Sequence, residues 1–229
     1  MIFKISKKHS FRGTALSKRT ATLKSRAMLS LKYSLISSLL FCATAYASPL
    51  QTLQSLLSAT HNYSANFIQT TREGRDGISR TATGKIYLQK PNRFRWELSA
   101  PSPQIIVSDG RYLWVYDPSL LQVTQKKVTS RTFDPALLLT GDSSKILHQF
   151  RVTWLPSFGG WYQLQPKHSG SGILVIRLQY RANQLSKIQV MNNMNQSSLF
   201  TFTQIKMNTT LPANLFNFTV PQGTTLLKQ

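Results

Sequence analysis

The side chains with chemical potential in this chain do not gather into a reactive constellation. His61, His148 and His168 stand in separate segments without the spacing of metal ligands. Of the seven acids, Asp109, Asp117, Asp134 and Asp142 occupy turn-like contexts, two of them followed directly by proline, where aspartate bonds its own backbone. No Gly-x-Ser-x-Gly, His-Glu-x-x-His or phosphate-loop pattern occurs. The single cysteine, Cys42, lies within an apolar run near the N-terminus, so residues 48–229 have no thiol for a disulfide, a metal or nucleophilic attack. An enzyme, a metal and a cofactor are all disfavoured by this inventory.

What the chain offers instead is aromatic surface. Along Arg93–Leu98 the strand period of two sends Phe94, Trp96 and Leu98 one way and Arg93, Arg95 and Glu97 the other. Gln104–Val107 and Tyr112–Tyr116 then flank Ser108-Asp109-Gly110-Arg111, which has the turn chemistry of a hairpin. Basic strands with aromatics suggest a single-strand nucleic-acid platform, but such a platform needs bases and phosphates met on one surface. Here alternation separates Phe94 and Trp96 from Arg93 and Arg95, so no nucleic acid is expected.

The elements around this stretch follow from pattern. Residues Leu35 to Ala47 form a short apolar run preceded by basic residues and closed by Ala45-Tyr46-Ala47, the small-x-small signature of a signal peptidase site. The expected organisation is therefore a removable leader with an N-terminal extension over 1–47, with translation starting at Met1 or Met28, and one domain over 48–229. The run is short for a membrane span, and Phe41 spoils Cys42 as a lipidation site. Nine of the 28 basic residues precede Ser48, leaving 19 against seven acids and a net charge of +12. That charge favours acidic partners, although the cations alternate along strands as on a solvated sheet face.

Ser48-Pro49 caps a first helix whose leucines Leu50, Leu53, Leu56 and Leu57 share a face. Strands are expected from Tyr63, around Ile86–Leu88, over Phe94–Trp96, on either side of the Asp109-Gly110 turn and over Val123–Val128. Asp134-Pro135 opens a short helix through Leu137, Leu138 and Leu139 that Gly141 should stop in a left-handed conformation. Further strands follow over Phe150–Trp154, Trp161–Gln165, Leu174–Tyr180, Ile188–Val190 and Phe200–Met207, where Phe200 and Phe202 should face away from Ile205 and Met207. A last short strand is expected over Leu215–Val220. About ten strands are too many for a flat open sheet. The fold class is mainly β (α+β): a strongly curved antiparallel sheet forming an incomplete β-barrel, with short helices as a lid over the concave face. A closed barrel is the alternative.

Gly84-x-x-x-Leu88-x-Lys90-Pro91-x-x-Phe94-x-Trp96, with Ser108-Asp109-Gly110 and Leu113-Trp114-x-Tyr116-x-Pro118, resembles the outer-membrane lipoprotein carriers of the LolA family. Ser64–Gln69 and Phe216-x-Phe218-x-x-Pro221-x-Gly223 extend the resemblance over the chain from Ser48. It implies a monomeric periplasmic chaperone that holds the acyl chains of lipoproteins in a hydrophobic cavity. Its cargo would come from the inner-membrane lipoprotein-releasing ABC transporter, LolCDE, and go to the outer-membrane receptor, LolB. The same fold would also suit an envelope module that senses a lipid or peptide, or the receptor LolB itself. By the resemblance, Phe94, Trp96 and Leu98, with Ile105 or Val107 and Trp114, line the cavity, and Leu137, Leu138 and Leu139 form a movable lid. A basic residue before the central proline holds that lid through helix carbonyls. Here Lys90 takes the place of the arginine found in the well-known member, and lysine lacks its planar fork; Arg93 is a second latch candidate.

Overall fold

The computed structural model describes residues 47–74, 77–128, 135–168 and 172–229. The expected leader, save Ala47, and the expected cap Asp134 lie outside the described residues.

Helix α1 (Pro49–Ala59) starts as its sequence dictates. Ser48 Oγ accepts from the Gln51 N–H, and the Gln51 side chain reaches back to the Ser48 N–H, so two orphan donors are satisfied reciprocally. Leu53 and Leu57 are the buried leucines of its inner face. The rest is mostly strand: β1 (Asn62–Glu73), β2 (Ser79–Gln89), β3 (Arg93–Ala100), β4 (Gln104–Asp109), β5 (Tyr112–Asp117), β6 (Gln122–Lys127), β7 (Phe150–Leu155), β8 (Trp161–Pro166), β9 (Ile173–Arg181), β10 (Gln184–Asn192), β11 (Gln196–Met207) and β12 (Thr225–Lys228). Two short helices, α2 (Pro135–Thr140) and α3 (Ser143–Leu147), separate β6 from β7.

All twelve strands form one sheet in the order β12-β6-β5-β4-β3-β2-β1-β11-β10-β9-β8-β7. The order ends on β12 and β7, which do not pair, so the sheet is open; a closed barrel is excluded among the described residues. Its curvature follows from what the helices touch. Helix α2 packs on β2 and β3, α3 packs on α2, α1 and β7, and α1 also reaches β7. Between β3 and β7 lie seven strand spacings, about 34 Å if the sheet were flat. Short helices with axes about 8–10 Å apart can touch both only if the sheet bends around them. The enclosed core joins Leu53 and Leu57 to Ile86, Leu88 and Phe94 on one side and to Leu164, Ile176 and Leu178 on the other.

Three details depart from the pattern read in sequence. Gly141 ends α2, its N–H donating to Leu137 O at 2.8 Å, but its φ is not positive. Glycine is required there by space, since a Cβ would lie 2.4 Å from Ile146 Cδ1 and 2.9 Å from Leu137 O. Phe200, Phe202, Ile205 and Met207 all pack on the core, because an extra residue bulges β11. Gln204 takes a φ of 52° there, and the strand's alternation is reset after it.

Nor is the tail a strand over Leu215–Val220. It is an irregular segment crossing the outer face of β3–β5, after which β12 joins the edge beside β6 in parallel. Arg93 stacks over the Phe216 ring at 5.9 Å, Arg95 donates to Leu215 O at 3.4 Å, and Trp114 stacks on Phe218 at 6.0 Å. Beneath it Val107, Val123 and Phe216 are buried apart from the main core.

The apolar cavity and its candidate latch

The pairing of β3 with β4 decides which side chains share the concave face. Trp96 stands opposite Ile106, Leu98 opposite Gln104 and Phe94 opposite Ser108, and directly opposed residues point to the same side of a sheet. A cavity of about 250 Å³ opens there, lined by Gln69, Phe94, Trp96, Leu98, Gln104, Ile106, Ala136, Ile188 and Phe200. Its wall is an aromatic cluster. Trp96 lies 4.8 Å from Phe67 and 4.9 Å from Phe200, the second contact nearly perpendicular at 84°, the edge-to-face geometry that aromatic quadrupoles favour.

The structure thus brings Phe94, Trp96 and Leu98 together and separates them from the other three expected lining residues. Ile105 and Val107 oppose Glu97 and Arg95, and Trp114 opposes Val107, so all three lie on the outer face. The misplacement has a physical reason. Strands covered on both faces read as continuous apolar runs, and the tail covers the outer face of β4 and β5, so Ile105-Ile106-Val107 carries no alternation to choose by. Ile106 is the residue that the cavity takes. Phe200 and Ile188 come from the distant half of the sheet, and only the pairing of β11 with both β1 and β10 brings them in.

Leu137, Leu138 and Leu139 are all buried in the core, on a helix that also sets Ala136 against the cavity. Of the two latch candidates, Lys90 makes the contact with a helix: its Nζ donates to Leu57 O, near the C-terminal end of α1, where a cation also meets the negative end of the helix dipole. Burial lowers the Lys90 pKa, and the charge of Asp142 opposes that shift without overcoming it. Arg93 points outward, onto Phe216.

The backbone beside Lys90 completes the grip. Lys90 N–H donates to His61 O at 2.9 Å, and Asn92 N–H donates to Thr140 O at 3.0 Å, the last carbonyl of α2. Ser108, fully buried, donates its hydroxyl to Asn92 O at 2.9 Å and so ties the Asp109-Gly110 hairpin to the same turn. Asp142 caps α3 by accepting from the Ser144 and Lys145 N–H groups, and the Ser58 and Ser143 hydroxyls join α1 to α3 at 2.9 Å. These contacts were not anticipated from sequence, although Asp142 before Ser143-Ser144 is a capping signal. Tyr63 is held as a neutral phenol by burial and donates to Leu185 O at 2.7 Å, bracing β1 against β10 beneath the helices.

A larger groove of about 660 Å³ lies along β7 and β8, but Arg151, Gln165 and Lys167 line it together with apolar residues. Among the described residues no group of three or more His, Cys, Asp or Glu could hold a metal ion.

The family of outer membrane lipoprotein carrier protein LolA matches residues 58–219. An outer-membrane lipoprotein carrier protein of Coxiella burnetii is 38% identical over 180 residues, covering 77% of this chain and 85% of its own. One from Pseudomonas aeruginosa is 34% identical over 187 residues, covering 80% and 89%. A solved LolA superfamily protein from Nitrosomonas europaea aligns with a TM-score of 0.44 at 13% identity, over 75% of this chain and 99% of its own. With a family match across most of the chain and carriers above 30% identity over most of their length, this protein belongs to the LolA family of outer-membrane lipoprotein carriers.

Proposed function

We propose that the chain from Ser48 onward is a periplasmic carrier that shelters lipoprotein acyl chains in the concave cavity. It takes its cargo from the inner-membrane transporter LolCDE and delivers it to the receptor LolB. The observation that carries this reading is the apolar wall of Phe94, Trp96, Leu98, Ile106 and Phe200 facing an open space inside a bent sheet. Burying a methylene is worth about 0.8 kcal/mol, so a chain of about 16 carbons exposed to water costs on the order of 12 kcal/mol. A carrier removes that barrier.

The cavity of about 250 Å³ is smaller than the roughly 300–1,000 Å³ of ordinary ligand pockets. Loading therefore displaces the cover formed by α2, with Leu137–Leu139 giving up core contacts to the incoming chain. Lys90 and Asn92 hold the resting position. The test is release: purified protein beginning at Ser48, added to inner-membrane vesicles holding the transporter, ATP and a native lipoprotein, brings that lipoprotein into the soluble fraction. Retention of the lipoprotein in the membranes with all components active refutes the proposal.

A further inference from the structure

The cavity wall changes character along its length. Toward the end held by Lys90 and Asn92 it is covered by α2, whose Ala136 lines it together with Phe94 of β3. Along β3, away from that turn, the apolar row ends at Leu98, whose partner on β4 is Gln104. On the neighbouring part of the face, Gln69 stands between Ala82 of β2 and Phe200 of β11. One step farther, Thr71 and Ser198 join their hydroxyls at 2.9 Å. Phe94 and Trp96 of β3 thus give way to two amides and then two hydroxyls, and none of the nine described lining residues carries a charge. The cation beyond this ring, Arg80, lies 3.7 Å from Glu73 and outside the lining.

The amides have free donors. Gln69 spends one N–H on Thr71 Oγ1 at 3.0 Å and, among the described residues, keeps a second. The Gln104 side chain makes no hydrogen bond among the described residues and is half-buried at the end of the apolar row. A half-buried amide with unspent N–H groups beside a greasy cavity suits a ligand that brings acceptors and no charge. A carboxylate held there would lose water without gaining a cation, which is far more costly than burying a neutral carbonyl that accepts a hydrogen bond.

Resting on the carrier reading above, we infer that Gln69 and Gln104 form a collar that recognises the neutral ester carbonyls joining acyl chains to a glyceryl group. The ligand class is then acyl esters, with free fatty acids excluded. The acyl tail lies against Trp96 and Phe200, and its carbonyls rest where the hydrocarbon wall ends.

Competition against a fluorescent acyl probe tests the assignment with four ligands: a synthetic diacylglyceryl-cysteine lipopeptide, dipalmitoylglycerol, palmitate at pH 8 and hexadecane. The lipopeptide and the glyceride are expected to compete well, with palmitate weaker than either by about tenfold or more. Gln69→Leu and Gln104→Leu should each weaken both esters by about fivefold, the worth of one hydrogen bond, relative to hexadecane measured on the same variant. That hexadecane still competes reports that each variant is folded. If the glutamine variants bind the esters as the parent does, if palmitate competes as well as the esters, or if the lipopeptide alone competes, the collar is overturned and the carrier reading stands. If no ligand binds, hexadecane included, the cavity is no acyl site and the carrier reading itself falls.

Discussion

Gly84 faces the concave side between Phe67 and Leu98, and adding a single methyl group there should damage the fold. A Cβ on Gly84 would lie 2.0 Å from Glu97 O and 2.6 Å from Phe67 Cζ. The carbonyl belongs to the β3 backbone, next to the point where the β2–β3 register slips, so it cannot withdraw without giving up pairing. Overpacking a well-packed interior costs roughly 1–3 kcal/mol, and a clash with backbone belongs at the upper end, about 3 kcal/mol. In a domain of this size each kcal/mol lowers the melting temperature by about 2–4 °C, so Gly84→Ala should melt about 6–12 °C early by circular dichroism. Adding Phe67→Leu removes the ring from the clash and leaves the carbonyl, so the double variant should recover less than half of the loss. A Gly84→Ala protein melting within about 2 °C of the parent would refute the argument that close backbone approach, and not turn geometry, demands glycine here.

Trp96→Ala and Trp114→Ala should part company: the first should abolish high-affinity binding of an acyl probe. The second should leave binding intact while costing about 2 kcal/mol in urea unfolding, through lost packing on Phe218. Deleting Gln204 takes out the extra residue and leaves Phe202, Ile205 and Met207 in plain alternation on the core face, so urea unfolding should shift by no more than about 1 kcal/mol. For Lys90 the sign follows from burial. Its folded pKa lies below the ordinary 10.5, so between those two values the unfolded chain binds more protons and stability rises with pH. Urea melts across that window should show this rise in the parent and a flatter profile in Lys90→Met.

The sequence is most informative where one face of a strand is charged. Arg93–Leu98 alternates plainly, and Phe94, Trp96 and Leu98 fall on the cavity side as alternation requires. Ser48 and Pro49 likewise announce the start of α1. Legibility fails where a second layer is added from far along the chain. The segment around Phe216 turns β4 and β5 into strands buried on both sides, and nothing local to Ile105–Val107 records that. Phase is also lost at Gln204, because a bulge is a decision of the paired strand and leaves little trace in composition. The collar glutamines were overlooked for a related reason: an amide at a strand end reads as solvent-facing until the register sets it beside Leu98 or Phe200.

The turn from Lys90 to Asn92 has a consequence for how the roof of the hollow comes loose. The ends of α1 and α2 lie more than eighty residues apart in sequence, yet both are fastened within this one tripeptide, Leu57 by an ammonium and Thr140 by a peptide N–H. Two shutters hung on the same hinge pin do not swing independently. On the carrier reading proposed above, dislodging either one would work against a pin that is itself anchored through Ser108 and His61, so a partial gap would be resisted and the expected opening is all-or-none.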